Sequence, residues 1–80
     1  MKEQDLIILG FNRVDDIADG VPFYYYEYEL EDTCLISSSN DESEGNKWSV
    51  QSNDYLQVEF KKLNDLKIFI SLLQSIFREY

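Results

Sequence analysis

The stretch Phe23–Leu30, FYYYEYEL, holds five aromatics, two carboxylates and a leucine and contains no turn former. Read with a period of two, as a strand, it presents two different faces. Tyr24, Tyr26, Tyr28 and Leu30 fall on one side, and Tyr25, Glu27 and Glu29 on the other. The same alternation separates Cys34 and Ile36 from Thr33, Leu35 and Ser37. It sets Trp48 and Val50 against Ser49 and Gln51, and Leu56, Val58 and Phe60 against Tyr55, Gln57 and Glu59. Aromatic and β-branched residues at this spacing predict half-buried antiparallel strands, and short connections favour a meander.

The period changes at the C-terminus. In KKLNDLKIFISLLQSIFREY, Leu66, Phe69, Ile70, Leu73, Ile76, Phe77 and Tyr80 follow the three-and-four spacing of one helix face. Asn64 reads as the N-cap, with Asp65 in the first turn and Arg78 in the last, as the helix dipole favours. Ile68 and Leu72 widen the apolar stripe beyond one sheet face. Either the N-terminal Leu6-Ile7-Ile8 packs on that shoulder, or a second chain does, which makes Ile68 and Leu72 the candidate homodimer interface. The N-terminal segment has two readings: EQDLIIL as a short helix stopped by Gly10 with FNRVDD as the first strand, or DLIILGF as the strand itself. Gly10 fits a helix end better than a strand interior, which favours the helix.

Turn formers gather at Asp15–Pro22 (DDIADGVP), Glu31–Thr33 and Ser37–Lys47 (SSSNDESEGNK), the last a polar loop of hairpin type. The expected fold is therefore α+β. One domain over residues 1–80 holds a four- to five-stranded antiparallel meander, with a C-terminal amphipathic helix on one face and a short N-terminal helix.

Charge narrows the partners. Through Gly45 there are twelve acids against Lys2 and Arg13; from Asn46 onward, four acids stand against five bases, and the chain carries −9 in all. Nucleic acid and anionic membrane are both repelled by such a surface, whereas a basic protein is attracted. No apolar run approaches the roughly 18 residues that cross a bilayer. The N-terminal apolar stretch is too short, and wrongly flanked, for a secretory signal. The single cysteine, Cys34, cannot make an internal disulfide. These features predict a cytoplasmic protein.

Catalytic chemistry finds little to use. With no histidine, the commonest general base and metal ligand is missing. Cys34 has no basic neighbour in sequence and reads as a buried structural thiol. The serines of SSSN lack a nucleophile-elbow context or a lysine partner, and no phosphate loop or zinc spacing occurs. Asp41, Glu42 and Glu44 offer oxygen ligands in NDESEGN without the spacing of a calcium loop, so a solvated hairpin is expected there. No enzyme, metal or cofactor is expected.

The remaining candidate is an acidic strand face. Glu27, Glu29 and Glu31 project from one side at intervals of roughly 6.8 Å, with Tyr25 among them. Asp32 and a loop holding Asp15, Asp16 and Asp19 are expected to extend the stripe, and Lys61 or Lys62 to neutralise part of it. A row of like charges destabilises a sheet slightly, so the stripe has two readings: an ordinary solvated strand face that serves solubility, or a contact for an arginine-rich protein surface.

LGFNRVDD, FYYYEYEL, CLISSSNDE, KWSV, YLQVEF and DLKIFISLLQSIF together resemble small proteins of phages and mobile elements in Bacteroidetes-type bacteria. Those proteins share the LGF start, the tyrosine-rich strand, the LIS-x-x-ND stretch and the terminal amphipathic helix. The resemblance spans nearly the whole chain and brings no catalytic residue. It implies a setting in which small acidic proteins inhibit or modulate host machinery, anti-CRISPR proteins among them.

Overall fold

The computed structural model describes residues 1–30, 33–52 and 58–78. Its spine is a hairpin of β1 (Asn12–Ala18) and β2 (Val21–Leu30), paired along the whole of β1 from Asn12↔Glu27 to Ala18↔Val21. The two residues between them, Asp19 and Gly20, have φ of 53° and 79°. Two successive positive φ values define the turn whose twist matches that of the strands it joins. Pro22 pairs with Ile17, a position where the missing N–H is not required by β1.

β3 (Thr33–Ser37), β4 (Val50–Ser52) and β5 (Glu59–Phe60) complete an antiparallel sheet in the order β1-β2-β3-β4-β5. The meander is present with five strands. Because β3 reaches only Glu27–Leu30 of β2, the hairpin extends beyond the other strands, and the molecule is elongated, 44 × 22 × 22 Å. Side chains supply the missing pairing. The Tyr24 N–H donates to Asn40 Oδ1 and the Tyr26 N–H to Ser37 Oγ, both at 2.8 Å. The Asn40 N–H returns a bond to the Tyr24 carbonyl at 2.9 Å.

Gly10 ends a helix, as its sequence context suggested. α1 (Glu3–Leu9) stops there at φ 97°, where the Gly10 N–H bonds the Ile7 carbonyl and the Phe11 N–H the Leu6 carbonyl. This paired closure suits glycine, and it draws the flanking apolar residues together. Leu6 and Phe11 accordingly both lie in the core.

α2 (Leu63–Arg78) buries Leu66 and Ile70. It begins at Leu63, one residue ahead of Asn64, so Asn64 lies inside the first turn rather than capping it. The Leu66 N–H already bonds the Lys62 carbonyl at 3.2 Å. Leu56, Tyr55, Gln57 and Tyr80 lie outside the described residues.

Cross-strand register shows how the sheet is divided. Tyr26, Leu35, Val50 and Phe60 share the inner face with Trp48, which closes on Tyr26 with ring centroids 5.6 Å apart. Leu6, Phe11, Leu66 and Ile70 complete that core. Both helices therefore pack on the inner face. The Tyr26 hydroxyl donates to Glu3 of α1 at 2.5 Å, and Gln74 of α2 donates to the Tyr28 hydroxyl at 3.0 Å. Tyr24 and Tyr28 are half-buried against this core, so the inward reading of the three tyrosines holds. Leu6 enters the core without covering the shoulder of α2. Ile7, Ile8, Ile68 and Leu72 remain 50–72% exposed, so of the two alternatives for that shoulder, packing by the N-terminal apolar run is not the one found. No helix among the described residues is long and apolar enough to cross a membrane.

Candidate functional site

The outer sheet face carries the alternate residues of every strand and, among the described residues, has no helix over it. One row crosses all five strands: Asn12, Glu27, Ile36, Gln51 and Glu59, each directly opposite the next. A neighbouring position pairs Glu29 with Cys34. Towards the hairpin tip lie Tyr25, opposite Val14, and Phe23, opposite Asp16. The two rings stack at 6.2 Å with an interplanar angle of 22°. The described outer residues hold four carboxylates, Asp16, Glu27, Glu29 and Glu59, and no lysine or arginine.

No ion pair reaches these acids among the described residues, and Lys47, in the loop before β4, is the base that shares a recess with Ile36, Gln51 and Glu59. Among the described residues the one ion pair is Arg13–Asp15, at 3.0 Å. Lys61 and Lys62 therefore do not offset the row. Glu27 is half-buried by its neighbours and Glu29 is exposed. The face thus combines half-buried aromatic and aliphatic surface with unpaired negative charge. That combination suits a guanidinium, which stacks on a ring while bonding a carboxylate.

Several expectations need correction. Asp15 and Asp16 are not in a loop: both are residues of β1 and they point to opposite faces. Asp16 joins the acidic face. Asp15 lies on the inner side, where its Oδ1 accepts bonds from Arg13 Nε and Nη2 at 3.2 and 3.0 Å. Arg13 in turn lies 3.7 Å above the Tyr24 ring. Asp19 belongs to the tight turn rather than the stripe. Cys34 is not in the core. It is half-buried on the outer face beside Glu27 and Glu29, the donor atoms of the three lying within 4.8 Å of one another. Two carboxylates and a thiol could serve a divalent cation, and the same oxygens could serve a basic side chain. Tyr25 lies where expected, although half-buried rather than fully open. Glu31 and Asp32 lie outside the described residues.

Glu59, Ile36 and Phe23 join the face without having been singled out from sequence. Their parity was readable, but the register that aligns them with Glu27 and Tyr25 was not. The polar loop after β3 is internally bonded. Ser39 donates its hydroxyl to the carboxylates of Asp41 and Glu42, and the Ser43 hydroxyl donates to the Ser39 carbonyl at 2.7 Å. At its foot, Ser38, Glu42, Lys47, Gln51 and Glu59 line a recess of about 320 Å³.

No family model matches this chain, and neither a curated protein nor a solved structure matches it.

Proposed function

We propose that this chain is a non-enzymatic binding protein whose outer sheet face engages a basic protein surface. The observation that carries the reading is the face itself: four carboxylates that form no ion pair among the described residues, set around the stacked Phe23–Tyr25 pair. Proteins that handle nucleic acid carry basic surfaces in order to hold phosphates. An acidic face can occupy such a surface in place of the nucleic acid. The partner class proposed is accordingly a nucleic-acid-handling host or defence enzyme, which binding would modulate or inhibit in the cytoplasm. Direct contact with nucleic acid or anionic membrane is disfavoured by the same charge.

Capture from a bacterial lysate, read by mass spectrometry, tests the proposal with variants matched in net charge. Glu27→Lys/Glu29→Lys should lose the basic proteins that the wild type retains, while Asp41→Lys/Glu44→Lys keeps them. Equal loss in both variants would reduce the effect to net charge, and retention in both would end the proposal.

A second reading rests on α2. Ile68 and Leu72 are 61% and 58% exposed and flank a groove with Lys67, Ser71 and Ser75. Assembly through this face would make the protein a structural accessory. Light scattering would then show an oligomer that Leu72→Glu dissociates, and a monomer would rule it out.

A further inference from the structure

Among the described residues, the opposite side of β1 has no strand beside it. The tight turn after Ala18 makes Ala18↔Val21 a bonded pair, so the backbone groups of Asn12, Val14 and Asp16 are spent on β2. Those of Arg13, Asp15 and Ile17 point to the open edge. β2 corroborates this phase, since the Tyr24 and Tyr26 N–H groups face away from β1 to meet Asn40 and Ser37. The Ile17 N–H is taken by Asp16 Oδ1 at 2.8 Å, leaving Arg13 and Asp15 as the open rungs.

We infer that this edge pairs with the β1 edge of a second copy, antiparallel and centred on Val14. Antiparallel pairing places outward residues opposite outward residues, and directly opposed side chains share a face. Centring the two-fold axis on Arg13 or on Asp15 sets like charges against each other, and centring it on Asp16 opposes two aspartates at the closest spacing. Centring on Val14 opposes Arg13 to the second copy's Asp15 twice, and Asn12 to the second copy's Asp16 twice. It places valine against valine, and it brings Ile17, 66% exposed, beside the second copy's Phe11.

The charge pair is prepared for this. Arg13 Nε and Nη2 converge on Asp15 Oδ1, so that among the described residues Asp15 Oδ2 and Arg13 Nη1 are left for the second copy. A guanidinium and a carboxylate each have capacity for such a second contact. With two open rungs per chain the ladder is short, so the dimer is weak. It joins the two sheets with their outer faces on the same side, doubling the acidic surface without covering it.

Sedimentation equilibrium on the full chain, up to about 1 mM to reach a small interface, reads the association. Arg13→Asp and Asp15→Arg should each stay folded by circular dichroism and weaken self-association at least tenfold. Mixing the two variants should restore a heterodimer, because each supplies the charges that the other lacks. Leu72→Glu should leave the wild-type dimer intact. A monomer at every concentration, a dimer unmoved by both charge variants, a mixture that does not associate, or a dimer lost in Leu72→Glu would each overturn the inference. None of these outcomes bears on capture of a basic protein by Glu27 and Glu29.

Discussion

Tyr26 shows how much one side chain carries in a core this thin. Its ring packs against Trp48 and Tyr24, its N–H is met by Ser37, and its hydroxyl donates to Glu3. Burial first, and the bond to Glu3 second, push the phenol up from 10.0 to about 12. A phenol whose pKa is raised by folding favours the folded state while it is neutral. That contribution is complete below pH 10 and is lost as the pH rises towards 12. Thermal melts should therefore lose stability across that window, and Tyr26→Phe should lose less over the same range. At neutral pH the Phe variant should be about 1 kcal/mol less stable, the net value of one hydrogen bond. An equal alkaline fall in wild type and variant would show that the phenol is not the group responsible.

Among the elements, α2 has the clearest division of labour. Leu66 is fully buried beneath it, while Ile68, two residues on, is 61% exposed. Leu66→Ala should cost about 2–5 kcal/mol in chemical denaturation, whereas Ile68→Ala should stay within about 0.5 kcal/mol. Similar losses at both positions would mean that the helix is rotated from the face described. The helix was legible from its period, and α1 from Gly10, because both signals are local. The inward and outward tyrosines of β2 were legible for the same reason. The fate of Asp15 and Asp16 was not: aspartate disfavours strands, yet pairing with the tyrosine-rich β2 holds both in β1. Cys34 reads as a core residue by polarity and lies on the outer face by parity. Only its position opposite Glu29 decides between the two. The row from Asn12 to Glu59 was invisible for a related reason, since register is a property of pairs of strands.

At the scale of the molecule, the division of the sheet is what matters. Both helices cover one face, and the other carries the acids around a strip of Val14, Phe23, Tyr25 and Ile36. Isolated strand faces of this kind are normally solvated and need no partner. Here the charges form no ion pair among the described residues, and the apolar strip is only half-covered. The functional proposal depends on that bareness, whereas the proposed edge pairing rests on the open side of β1 and would extend the sheet without closing its outer face.

Paramagnetic relaxation of methyl protons by a soluble gadolinium chelate measures that bareness most directly. Ile36 on the outer face should relax strongly, while Leu35, Val50 and Leu66 beneath the helices stay protected. Comparable protection of Ile36 would mean that something covers the outer face, and would contradict the account.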